Sequence, residues 1–169
     1  MLFDPQKRYH LVAQHSELCI ECTPEFGVLQ NSLPNPVNGR QLWTIRELEH
    51  GCFIISLYKS EWVLTHHGFF EGPISLSPCH DDPPAWQRWK VVTPAQYYGN
   101  QIPVFPRDCY LLLTGLTVND RRRNHHGEFD SCLDVLGARG NRPGLLCEYP
   151  VQPAGQIACN QIFQIMEIY

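Results

Sequence analysis

No stretch of the chain approaches the roughly 18 consecutive apolar residues of a membrane-crossing helix, so insertion by a helix is not expected. A basic surplus is missing as well. The formal net charge is −4 with 18% charged residues, which leaves no broad positive field for nucleic acid. The one basic cluster, Arg121, Arg122 and Arg123, reads as a solvated loop rather than a site for phosphate or anionic lipid. The motifs Gly-x-Ser-x-Gly and His-Glu-x-x-His are absent, and so is a phosphate-cradling glycine loop, which removes the commonest signatures of hydrolases, zinc peptidases and nucleotide enzymes. The expectation is a non-enzyme with no cofactor and no metal. Met1, Leu2, Phe3, Asp4 and Pro5 show neither the basic start nor the apolar core of a secretory leader. A cytoplasmic protein, or one domain of a longer chain, is therefore expected.

Cysteine is not scarce. The eight cysteines fall at irregular offsets, and Cys19 and Cys22, three apart on a strand, would point to opposite faces. Mostly buried free thiols fit this better than disulfides or a zinc knuckle. The adjacent pairs His66-His67 and His125-His126 have no acid or cysteine spaced to complete a metal site, and read as solvated loop histidines. With eight histidines beside the eight cysteines, a chance pairing such as Cys147 with a histidine carries no catalytic argument.

Fourteen prolines, twelve glycines and many short apolar runs favour an all-β fold in a chain of 169 residues, long enough for one proper core. The organising signal is a unit that occurs three times. Each copy opens on a short apolar run, beginning at Tyr9, Phe53 and Tyr110, and each ends on Gln-x-aromatic: Gln41-Leu42-Trp43, Gln87-Arg88-Trp89 and Gln161-Ile162-Phe163. One such unit cannot bury its apolar face alone, so three copies imply one threefold-repeated domain. The copies span about 9–47, 50–93 and 109–167, with four short strands each. Cys19 and Cys132 take one equivalent slot, with Trp62 in the second copy. A linker, 94–108, is rich in aromatic residues and proline and is expected to pack across the open end of a barrel, or else to offer a partner surface. The third copy carries a polar insertion, about 118–128, expected as a protruding hairpin or loop.

The Gln-x-Trp repeats, the Leu133-Asp134-Val135 strand and the Asn160-Gln161-Ile162-Phe163 ending resemble the ricin-B-type (R-type) lectins. The resemblance covers nearly the whole chain. It implies a β-trefoil of twelve strands, six in a short barrel and six in three hairpins that cap one end, a closure that removes free sheet edges.

It also implies a site in each copy for a galactose-type sugar. Such a sugar offers an apolar C–H face for an aromatic ring and a rim of hydroxyls for a carboxylate and an amide. In the third copy Asp134 matches the family's carboxylate, Tyr149 its stacking aromatic, Asn160 its amide and Gln161 the supporting residue. Strand alternation puts Cys147 on the face of Tyr149, at the pocket wall, and turns Glu148 towards the core. The first copy has Glu21, Asn31 and Arg40 at the carboxylate, aromatic and amide slots. The second has Leu64, Ser77 and Trp86. Only the third looks complete, which makes galactose-containing glycans the expected ligand and gives one site per chain. Avidity would then need an oligomer or a tethered partner domain. The competing class is a trefoil that binds protein instead, an interaction module or loop-based protease inhibitor acting through the linker and the insertion.

Overall fold

The computed structural model describes residues 2–25, 27–67, 72–99, 104–114, 131–136, 144–152 and 158–169, and for Glu148 and Pro150 the backbone only. The expected insertion at 118–128 and the clusters at 121–123 and 125–126 lie outside the described residues, as does the Glu148 side chain.

Twelve strands are described. The first repeat gives β1 (Arg8–Ala13), β2 (Ile20–Cys22), β3 (Val28–Gln30) and β4 (Trp43–Glu47). The second gives β5 (Cys52–Leu57), β6 (Trp62–Thr65), β7 (Ser75–Pro78) and β8 (Trp89–Val92). The third gives β9 (Cys109–Thr114), β10 (Ser131–Val135), β11 (Gly144–Pro150) and β12 (Phe163–Ile168). All pairings are antiparallel. Strands β1, β4, β5, β8, β9 and β12 pair in that order and β12 returns to β1, which closes a six-stranded barrel. The remaining six form the hairpins β2–β3, β6–β7 and β10–β11. The hairpins touch one another through Gly144↔Gln30, Gly27↔Ser75 and Pro73↔Cys147, so each covers its neighbour's edge.

Three barrel pairings hold the core in register: Tyr9↔Trp43, Phe53↔Trp89 and Tyr110↔Phe163. Trp43, Trp89 and Phe163 have no exposed surface, as the three Gln-x-aromatic endings predict. Each indole N–H finds a carbonyl inside, Trp43 Nε1 on Ile20 O at 3.1 Å and Trp89 Nε1 on Leu64 O at 2.9 Å. Phe163 carries no such donor and needs no such partner. The glutamine before each aromatic is also buried and accepts a backbone N–H on Oε1, from Asn35 at 2.8 Å, His80 at 3.3 Å and Gln152 at 3.1 Å. The motif therefore ties a loop to the barrel wall in every repeat. Between β4 and β5 the chain reverses at His50 and Gly51, both at positive φ (60° and 69°), a conformation glycine takes without steric cost.

Strands β1, β5 and β9 each run towards a hairpin, so Tyr9, Phe53 and Tyr110, near their starts, ring the opposite end of the barrel. Phe3 plugs that ring, with its centroid 5.6 Å from Tyr9, 5.7 Å from Phe53 and 5.6 Å from Tyr110, edge-to-face with each. This corrects the expectation for the linker, whose described aromatic residues pack elsewhere. The linker begins with a short helix, α1 (Pro94–Tyr98), that the strand-based reading missed. Its signal was present: Thr93 and Gln96 form a capping box around Pro94, the arrangement that starts a helix. Tyr97, Tyr98 and Phe105 pack on a second apolar cluster formed by Cys109, Leu111, Leu113, Cys132, Val151 and Ile162, on the flank of the third repeat.

Two further expectations change. His66 is not a solvated loop histidine. It is buried, its ring stands edge-on to Trp89 at 5.2 Å and its Nε2 bonds Ala85 O at 3.0 Å. His67 is exposed. The register of the second hairpin is also off by one. Val63 pairs Ser56 as Cys19 pairs Val12 and Cys132 pairs Leu113, so Val63, not Trp62, is the equivalent of the two cysteines. All eight cysteines are thiols outside any disulfide, and five are buried.

Candidate functional site

The third repeat gathers three of its five expected site residues by hydrogen bonding. Asp134 lies near the end of β10, where Leu133 and Val135 face the core and Asp134 faces away from it. Asn160 and Gln161 sit in a one-turn 3-10 segment, Cys159–Gln161, just before β12. That turn brings both amides onto the carboxylate: Asn160 Nδ2 donates to Oδ1 at 2.8 Å and Gln161 Nε2 donates to Oδ2 at 2.8 Å. Asn160 Nδ2 also lies 3.4 Å from Val135 O. Each carboxylate oxygen still has a lone pair for a further donor.

Asp134 is only 5% exposed. Burial pushes its pKa up to about 6, against the two amide bonds, which pull it down. The carboxylate is thus ionised at neutral pH and titrates just below it. Tyr149 on β11 pairs with Cys132, two residues from Asp134 on the same face of the hairpin, and is half-buried. Cys147 stands directly opposite Asp134 on the same face of the hairpin and, at 1% exposed, is buried rather than at an open rim. Neither Tyr149 nor Cys147 is tied to Asp134 by the bonds that hold the two amides.

The same slots in the other repeats hold different chemistry. In the first, Glu21 Oε2 takes Gln41 Nε2 at 3.2 Å, Asn31 Nδ2 at 3.3 Å and Ser32 Oγ at 3.3 Å. Arg40, at the amide slot, is exposed. In the second, the register correction moves the acid slot from Leu64 to Thr65, because Leu64 O receives the Trp89 indole just as Ile20 O, one residue before Glu21, receives that of Trp43. Thr65 Oγ1 bonds Ser77 Oγ at 2.7 Å, and Gln87 Nε2 reaches Ser77 Oγ at 2.9 Å and Pro78 O at 2.8 Å. Trp86, at the amide slot, is half-exposed. Counting twelve residues forward from the aromatic residue that opens the apolar run, as from Tyr9 to Glu21, finds Thr65 from Phe53; counting back from the buried tryptophan does not. Among the described residues no three His, Cys, Asp or Glu side chains converge as a metal site would require.

No protein-family model matches the chain, and no curated protein matches it in sequence. Solved structures do match. ThreeFoil, a designed threefold-symmetric protein, superimposes with a TM-score of 0.68 at 18% identity over 95% of this chain and 99% of its own. A ricin B-like lectin from Macrolepiota procera, solved with lactose, gives 0.67 at 11% identity over 99% and 100%. The C-terminal half of an earthworm R-type lectin, solved with GalNAc, gives 0.57 at 13% identity over 96% and 99%. The chain is a β-trefoil. At these identities the likeness reaches the fold and no further. In other matches the chain spans only 37% and 31% of the neighbour's length, so the same trefoil also occurs as one part of a larger protein.

Proposed function

We propose that this trefoil is a carbohydrate-binding domain, not an enzyme, and that it takes galactose-type sugars through its third repeat. The observation that carries the proposal is the Asp134 carboxylate held on both oxygens by Asn160 and Gln161 at 2.8 Å, on the same hairpin face as Tyr149. A fixed, ionised acceptor beside an amide presents the polar half of a sugar site, and Tyr149 supplies the stacking half. Asn160 gives its N–H groups to Asp134 and Val135 O, so its Oδ1 can accept from one hydroxyl while Asp134 accepts from the neighbouring one. Cys147 opposite Asp134 and Gln161 behind it flank and support the site. That the lectin neighbours were solved with lactose and with GalNAc fits this reading.

A glycan array tests it. Signal is expected on galactose-terminated glycans, and Asp134→Ala should remove it while leaving the fold intact. An array silent for the unaltered protein, with specific capture of a defined protein ligand instead, would replace the lectin by an interaction module.

A further inference from the structure

In every repeat the buried glutamine is held through Oε1 by one backbone N–H. In the third repeat the residue that supplies this N–H is itself gripped from outside the repeat. Tyr98 Oη donates to Gln152 O at 2.9 Å across 54 residues of sequence. Gln152 N donates to Gln161 Oε1 at 3.1 Å, and Gln161 Nε2 donates to Asp134 Oδ2 at 2.8 Å. Hydrogen bonds joined through the backbone of Gln152 thus lead from the linker helix to the carboxylate.

The path starts on a rigid base. Helix α1 is fixed by the Thr93–Gln96 capping box, Tyr97 stands edge-on to Tyr98 at 4.9 Å, and both rings pack on the cluster that contains Cys132 and Val151. The first repeat has nothing of this kind after it, since β4 ends at Glu47 and β5 begins at Cys52, whereas β8 ends at Val92 and β9 begins at Cys109. We propose that Tyr98 is a positioning residue for the third-repeat site. Its hydroxyl fixes the Gln152 carbonyl, the Gln152 backbone carries that constraint across its Cα to its N–H, the N–H holds the Gln161 amide, and the amide sets the direction of the Asp134 carboxylate. This rests on the sugar-site reading above. Burial, with a smaller contribution from Cys132, pushes the Tyr98 hydroxyl up to about 12, so it keeps its proton, and its role as donor, at every pH where the carboxylate changes charge.

Tyr98→Phe keeps the ring and its packing and removes only the donor. The test has two readouts: the Asp134 carboxyl titration followed by carbon-13 NMR, and lactose affinity at pH 7.5. A loosened Gln161 amide stabilises the carboxylate less, so in Tyr98→Phe the Asp134 midpoint should rise by about half a unit, roughly threefold in proton affinity. Lactose affinity should fall by about threefold to tenfold with stoichiometry unchanged. In a Gln161→Met background, Tyr98→Phe should have no further effect on either readout. An unchanged Asp134 midpoint in Tyr98→Phe, or an equal effect with and without Gln161, would overturn the proposal. If the unaltered protein does not bind lactose at all, the sugar reading falls, and the NMR midpoint alone still decides whether Tyr98 acts on Asp134.

Discussion

The first and third repeats place an acid at the same point of the same scaffold and treat it in opposite ways. Glu21 is bound by its own hairpin: Asn31 and Ser32, where the third repeat has Tyr149 and its neighbour, turn their donors onto Oε2 alongside Gln41. Among the described residues Asp134 takes its side-chain hydrogen bonds from behind, from two residues of the turn that precedes β12. One methylene more and an amide in place of an aromatic ring close the first-repeat acid into a local knot, where the third repeat keeps the arrangement proposed as a receptor for hydroxyls. The lesson is that a trefoil slot is defined less by its acid than by what stands in front of it.

The comparison can be broken first at the level of the core, where the two repeats should be alike. Trp43→Ala and Phe163→Ala each empty a fully buried ring position, and each should cost about 3–5 kcal/mol in chemical denaturation. If Trp43→Ala left the melting unchanged, the threefold core as described would be wrong. Trp43 lies under the first repeat, so a folded fraction of Trp43→Ala should retain lactose affinity.

A second test uses the burial that distinguishes Asp134. Its pKa of about 6 predicts that sugar affinity is full above pH 7 and about tenfold weaker at pH 5, because the protonated acid cannot accept from two hydroxyls. The sign for stability is opposite to that of an ordinary salt-bridged aspartate. The folded protein holds this proton more tightly than the unfolded chain, whose carboxyl titrates near the ordinary aspartate value of 3.8. The stabilisation by proton uptake is therefore fullest below that value and is lost as pH rises through about 6, being gone above it. Denaturation of wild type and Asp134→Asn across pH 4–8 measures this. A wild-type curve with no extra fall in stability between pH 4 and 6 relative to the variant would contradict the burial argument.

The smallest expected effect concerns the one difference between the cores. Trp43 donates to Ile20 O, whereas Phe163 has nothing to donate. Trp43→Phe should cost roughly 1–3 kcal/mol through the lost hydrogen bond and the orphaned carbonyl. A cost equal to that of Trp43→Ala would mean the ring volume is not what the position uses.

The fold was legible because its signals are redundant. Three buried aromatics, three glutamines and three apolar runs repeat, and an error in one is corrected by the others. That Asp134, Asn160 and Gln161 come together was legible for a narrower reason, their resemblance in one copy to a known pattern. What escaped the sequence is what depends on a single local count or on distant contacts. Leu64 was put where Thr65 stands because a strand shifted by one residue looks as apolar as the true one. His66 looked like a loop residue because nothing near it in sequence announces the Trp89 ring it packs against. The linker helix was hidden among prolines and tyrosines although Thr93, Pro94 and Gln96 spelled its start, and the contact of Tyr98 with Gln152 spans 54 residues that no periodicity connects.

The central claim is that the chain has one sugar site and that it is the third. Isothermal titration with lactose at pH 7.5, on wild type, Asp134→Ala and Glu21→Ala side by side, tests it most directly. The account predicts one site per chain with a dissociation constant on the order of 1 mM, about −4 kcal/mol, no heat of binding in Asp134→Ala, and an unchanged isotherm in Glu21→Ala. A stoichiometry of two or three, or binding that survives without Asp134 and disappears without Glu21, would contradict it.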